Sequence, residues 1–187
     1  EFKKLVADNG LVISALCGDL GKGFGHPELN PDLIERSKRI MDLALEMEAN
    51  IVTTHIGKIP EDTSCVKYNT MFEACKSIAD YAASIGATFA IETGPEKAIY
   101  LKEFLDKLES KGIGVNLDPA NLCMVTKDDP VDAVHNLKKY IVHTHAKDGN
   151  CLHLVNPEYI YRVVHPVPEN FSGMKCFEEV PLGTGSV

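Results

Sequence analysis

Four apolar, β-branched runs each close on a side chain of the kind that ligates metals, and they recur at nearly regular intervals. They are residues 51–55, 89–92, 113–118 and 140–145, which end in His55, Glu92, Asp118 and His145. Turn chemistry follows each run: Gly57, Thr93-Gly94-Pro95, Pro119 and Lys147-Asp148-Gly149. Segments of helical length separate the runs. Short apolar strands alternating with helices make βα units, and such units build a parallel sheet. The ligand-type residues then share one edge, because the strands all point the same way.

The intervening helices carry their own punctuation. Asn30-Pro31-Asp32 supplies an N-cap, a proline at the first helical position and a first-turn acid, and predicts a helix to about residue 48. Residues 66–85 predict a second helix with Met71, Ala74, Ile78, Tyr81 and Ala82 inward and Gly86 as its stop. Residues 98–111 predict a third, ended by Gly112, and Asp129-Pro130 starts a short one through residue 139. Residues 11–17 read as a further strand, followed by a loop with Gly18, Gly21, Gly23 and Gly25 that lacks P-loop spacing. Residues 149–176 hold Pro157, Pro166, Pro168, His153 and His165. They read as a long loop over the rim, with a short regular piece at 157–164.

Ligand types at successive strand ends favour a ring over the line of ends in an open doubly wound sheet. The expected fold is α/β, a (β/α)8 TIM barrel present in part. About five βα units are legible, whereas a closed barrel has eight strands and about 250 residues. On this reading residues 1–187 are a single domain truncated at both ends, lacking the first strands and the last.

The chain has 19 basic and 27 acidic residues, a formal net charge of −8, and no basic cluster. Nucleic acid, bound through cation release from phosphates, is therefore not an expected partner. No apolar stretch is long enough to span a membrane. The cysteines Cys17, Cys65, Cys75, Cys123, Cys151 and Cys176 are dispersed, with no C-x-x-C pair, and read as reduced thiols of a cytoplasmic protein.

Glu92, Asp118 and His145 offer two hard oxygen ligands and an imidazole, a set that suits Mn, Mg, Co or Zn. The chain resembles the xylose isomerase-like TIM barrels, a family of sugar phosphate isomerases and epimerases. Gly10-Leu11-Val12-Ile13-Ser14-Ala15-Leu16, Thr54-His55-Ile56-Gly57, Ile91-Glu92-Thr93-Gly94-Pro95, Leu117-Asp118-Pro119-Ala120-Asn121, His143-Thr144-His145-Ala146-Lys147-Asp148 and Pro181-Leu182-Gly183-Thr184-Gly185 carry that resemblance, in order, across residues 10–187.

The resemblance implies that Glu92, Asp118 and His145 are three of four ligands of one divalent metal ion, the fourth being a glutamate on a last strand beyond Val187. It implies proton abstraction beside a carbonyl, with the cation stabilising the enediolate charge and Glu92 serving as both ligand and base. His55, Asn121, Lys147 and Asp148 would face the substrate, a small-molecule sugar or sugar phosphate. Lys147 would neutralise a phosphate or polarise a hydroxyl, and Asp148 would orient it. Glu178 and Glu179 read as solvated loop acids, and His143 as a hydrogen-bonding residue inside the barrel. Two alternatives stay open: a dehydratase of inosose or dehydroshikimate type on the same metal site, and a non-catalytic sugar-binding barrel. Association into a homo-oligomer also stays open.

Overall fold

The β-branched runs pair side by side in chain order. The computed structural model describes residues 1–161, 169–171 and 173–187. In it β1 (Leu16–Cys17), β2 (Ile51–Thr54), β3 (Thr88–Glu92), β4 (Ile113–Leu117) and β5 (Ile141–Thr144) form one five-stranded sheet in the order β1-β2-β3-β4-β5. Every adjacent pair is parallel. After a first helix α1 (Phe2–Asp8), the strands are connected by α2 (Asn30–Glu46), α3 (Val66–Ile85), α4 (Ala98–Leu108), a short α5 (Pro119–Asn121) and α6 (Pro130–Leu137). This is the expected α/β alternation of a partial barrel, with β1 and β5 at the sheet edges.

The strand expected over 11–17 is shorter: only Leu16–Cys17 pairs, and Leu11 and Val12 are exposed. Asn30 does not cap α2. It is buried, and its Nδ2 donates to the carbonyls of Phe24 and Thr70.

The two faces of the sheet differ in chemistry. Val52, Phe89, Ile91, Val115 and Leu117 pack with Met41, Met71, Ile78, Leu101 and Phe104 into the main core beneath the helices. The alternating positions Thr53, Ala90, Glu92 and Asn116 turn to the other face, which is small or polar.

One irregularity sets which side chains join that polar face. Val115 pairs with Ile141, but the next residue, Asn116, pairs with His143, so Val142 is an extra residue in β5. A slip of one residue exchanges the faces of a strand. Ile141 accordingly packs against the helix-side core, while His143 lies opposite Asn116 on the polar side.

Gly112 illustrates a second constraint. It does not end α4, whose C-cap is Glu109 in a left-handed conformation at φ 47°. Gly112 lies instead against α3, where a Cβ would run into the backbone of Ala79 and Ala83.

The stretch expected as a loop over 149–176 is partly ordered into regular structure. β6 (Asp148–Cys151) pairs antiparallel with β7 (Phe177–Val180), and a short α7 (Pro157–Ile160) and a 3-10 turn (Glu169–Phe171) lie between them. His165, Pro166 and Pro168 lie outside the described residues. Among the described residues no helix is long and apolar enough to cross a membrane. All six cysteines are free thiols.

Because a methyl group at residue 112 meets backbone that cannot rotate away, Gly112→Ala should destabilise the protein by about 1–3 kcal/mol. Urea unfolding followed by circular dichroism checks this; an unchanged midpoint would contradict the packing described.

Candidate metal centre

Three strand ends meet on the polar face. Glu92 closes β3, Asp118 follows β4 directly, and His145 follows β5. One donor atom from each lies within 4.8 Å of the other two. His145 Nδ1 is the nitrogen that faces both acids, 3.6 Å from Glu92 Oε1 and 3.2 Å from Asp118 Oδ2. Two carboxylates and one imidazole at this separation form a hard, mixed donor set suited to a divalent cation. The residues therefore fit the metal that the strand-end pattern suggests.

Buried amides hold this set in place. Asn116, with no solvent exposure, lies in register with Glu92 on one side and His143 on the other. Its Nδ2 donates to Glu92 Oε2 at 3.0 Å and lies 3.2 Å from His145 Nε2. An amide nitrogen only donates, so Nε2 accepts here and the imidazole proton sits on Nδ1, toward Asp118, a proton that Nδ1 must release before it can ligate a cation. Asn116 Oδ1 in turn accepts from His143 Nδ1 at 2.9 Å. Asn121 donates from Nδ2 to Glu92 Oε1 at 3.2 Å and to the Thr93 carbonyl at 3.1 Å. Asp118 Oδ1 accepts from the backbone N–H of Asn121 at 2.9 Å, which caps α5. Thr93 Oγ1 both donates to the Asp118 carbonyl and accepts from the Asp118 N–H.

His55 Nε2 lies 3.5 Å from Glu92 Oε1, and its Nδ1 is buried with no hydrogen-bond partner among the described residues. The ring meets Tyr161 edge-on, with centroids 5.5 Å apart. Both residues line a cavity of about 440 Å³ together with Asp19, Lys22, His26 and Gly57. The Tyr161 hydroxyl sits where Gly94 would carry a Cβ, so glycine at 94 is what admits it. Burial, then the carboxylates of Glu96, Glu92 and Asp118, hold Tyr161 as a neutral phenol.

Lys147 reaches the site, but its ammonium is committed inside the protein. It lies 3.2 Å from Asp118 Oδ2 and 3.0 Å from Glu179 Oε1, and donates to Asn121 Oδ1 at 2.9 Å. Burial by itself would lower its pKa. The hydrogen bond to Glu179 and the charge of Asp118 outweigh that and raise it. Glu179 is thus a strand residue on β7 paired with Lys147, not the loop acid expected, while Glu178 pairs with Lys175.

Asp148 departs furthest from its expected role as a substrate-orienting residue. It is buried, and its carboxylate accepts the backbone N–H groups of Gly149, Gly183, Gly185 and Val187. Those bonds, that of Gly185 foremost, hold its pKa below the ordinary carboxylate range. Asp148 clamps the C-terminal turn onto the β6–β7 hairpin, leaving it no free oxygen for a ligand.

Asn116, Thr93, Tyr161 and Glu96 were not singled out by the sequence pattern. A polar amide inside an otherwise apolar strand was the available signal for Asn116. Glu96 is buried, accepts the Ile59 N–H at 3.2 Å, and is pushed up to about 8 by its removal from water.

The chain belongs to the xylose isomerase-like TIM barrel family, which matches residues 1–187. A xylose isomerase domain protein from Planctomyces limnophilus is 25% identical, with a TM-score of 0.79 over 99% of this chain and 66% of its own. The probable 3-DHS dehydratase involved in petrobactin synthesis from Bacillus anthracis is 21% identical, with a TM-score of 0.73 over 100% of this chain and 66% of its own. A xylose isomerase-like TIM barrel protein from Mycobacterium smegmatis, in complex with magnesium, is 17% identical, with a TM-score of 0.69 over 100% of this chain and 62% of its own. Other solved structures alike in fold are described as a D-tagatose 3-epimerase-like protein, a sugar phosphate isomerase/epimerase and a D-psicose 3-epimerase. The chain spans less than two thirds of the length of these relatives, from 66% of the first to 55%. No curated protein matches the sequence.

Two outcomes follow. Asn116→Leu removes the donor to Glu92 and the contact to His145, and should weaken Mn²⁺ binding roughly 10–100-fold, as is usual for groups that orient metal ligands; calorimetric titration reads it. Glu96 has a folded pKa above its unfolded value, so its protonated form favours the native state. That stability is complete below about pH 4.5 and is lost as pH rises through about 8. Glu96→Gln should flatten this decline, which is on the order of a few kcal/mol, in urea melts taken from pH 5 to 9.

Proposed function

We propose that this protein is a divalent-metal-dependent isomerase or epimerase acting on a small sugar or sugar phosphate. The observation that carries the reading is the convergence of Glu92 Oε1, Asp118 Oδ2 and His145 Nδ1 from three successive strand ends. Glu92, Asp118 and His145 would hold the cation, with its identity among Mn, Mg, Co and Zn left open. Bound there, a divalent cation supplies Lewis-acid stabilisation of the charge that develops on substrate oxygens when a neighbouring C–H is deprotonated.

The chain's own groups supply the rest. Glu92 would take the proton beside the carbonyl, and Asn116 and Asn121 donate to its two oxygens and orient it. His55 lies next to Glu92 at the cavity wall and is the substrate-binding imidazole of this reading. Asn121 acts mainly by orienting Glu92 and Lys147. Tyr161 packs edge-on against His55 at the wall of the same cavity.

A dehydratase shares the first step, abstraction of a proton beside a carbonyl, and differs in what leaves afterward. One experiment separates the readings. Incubation of the full chain with Mn²⁺ and a panel of ketoses and ketose phosphates in D₂O should give deuterium at the carbon beside the carbonyl, without loss of water. Glu92→Gln should lower that exchange by about 10²–10⁴-fold, the usual contribution of a general base. Loss of water from a hydroxy-ketone in the same assay points to the lyase. Sugar-dependent melting with no exchange points to a binding barrel.

A further inference from the structure

Lys147 is the one cation whose contacts reach a ligand of the centre among the described residues, and it sits where its charge opposes any incoming metal. Its Nζ lies 3.2 Å from Asp118 Oδ2, the same oxygen that faces His145 Nδ1 across the centre. The ammonium is also held by Asn121 Oδ1 at 2.9 Å and by Glu179 Oε1 at 3.0 Å. Asp118 is fully buried, and a charge taken out of water is costly unless an opposite charge lies beside it. Lys147 supplies that charge.

We propose that Lys147 is the resident counter-ion of the metal centre, and that Glu179 sets how hard it competes. This rests on the reading of Glu92, Asp118 and His145 as cation ligands. A divalent cation taken up by Asp118 Oδ2 removes the negative charge that holds the ammonium from the inner side. Lys147 is then left to Asn121 and Glu179, on the outer side. Glu179 lies on β7 and is largely exposed, so the outer half of the exchange belongs to the β6–β7 hairpin. The same backbone run holds Asp148, whose bonds to Gly149, Gly183, Gly185 and Val187 fix the hairpin in place. The hairpin is thereby a tuning element for metal affinity, without contributing a ligand. Full engagement of the ammonium also means that Lys147 is not a ready anchor for a substrate phosphate.

The consequence has a sign that simple damage to the site does not reproduce. Lys147→Met removes a like charge beside the cation and a competitor for Asp118, and should tighten Mn²⁺ binding by about tenfold, the scale of a nearby unit charge at partial burial. Glu179→Gln leaves Asp118 as the only carboxylate on the ammonium, beside the Asn121 amide, and should weaken Mn²⁺ binding about threefold, a modest effect because Glu179 is exposed. Lys175→Met and Glu178→Gln change the same net charge away from the centre and should leave affinity unchanged. The test is calorimetric titration of Mn²⁺ alone into the full chain and each variant, with thermal melts in parallel.

Tighter binding in Lys147→Met and weaker binding in Glu179→Gln support the proposal. Equal or weaker binding in Lys147→Met, with the wild type binding Mn²⁺, overturns it while leaving the metal centre intact. Equal shifts in the distant controls also overturn it, because net charge alone would then account for the change. If the wild-type chain takes no Mn²⁺ at all, the metal reading falls and this proposal falls with it.

Discussion

Two carboxylates and two imidazoles crowd one end of a parallel sheet, and the Asn116 amide is what lets them coexist. It has no access to water, so each of its polar atoms must find a partner within the protein. It finds Glu92 on one flank and His143 and His145 on the other. An amide can do this because it carries donor and acceptor on one rigid plane. A carboxylate at this position would add a third negative charge beside Glu92, and an apolar side chain would take a partner from Glu92, His143 and His145 at once. Asn116 therefore links the geometry of the sheet to the chemistry of its end.

That link depends on register. Glu92, Asn116 and His143 form one row across β3, β4 and β5 only because Val142 is an extra residue in the last strand. Without the bulge, Val142 would face Asn116, and both histidines would turn toward the helix-side core. A catalytic face on a βα sheet is usually credited to strand order and loop composition. Here a single residue inserted in an edge strand has comparable leverage, since it changes the side on which two imidazoles emerge. Bulges beside functional sites re-aim side chains in this manner.

These two features mark the boundary of what the amino-acid sequence reveals. The strand ends were legible, because β-branched runs closing on His55, Glu92, Asp118 and His145 carry both the period and the ligand type in a few adjacent residues. The helix over 66–85 and its Gly86 stop were legible for the same local reason. The bulge was not, because two extended residues and three read alike until a neighbouring strand is laid beside them. The partners of Asp148 come from 183–187, far along the chain, so a turn acid and a structural clamp look identical in sequence. Tyr161 depends on the absent Cβ of Gly94, and Glu179 on Lys147, each a contact between distant segments. Gly112 was read as a helix stop, whereas the close approach of α3 is what requires glycine there.

The two acids of the centre differ in their surroundings. The Asp118 side chain is fully buried, and its oxygens meet the Asn121 N–H, Lys147 and His145. A group so thoroughly engaged has a fixed direction and little freedom to shuttle a proton. The Glu92 side chain keeps 12% of its exposure and lies 3.5 Å from His55, which lines the cavity. Its neutral amide neighbours orient it without cancelling its charge. A base needs access to the substrate and an uncompensated charge, whereas a pure ligand needs only a fixed direction. Under the function proposed above, Asp118 would be a ligand alone and Glu92 ligand and base together. The division follows from which acid the lone ammonium of the centre sits beside.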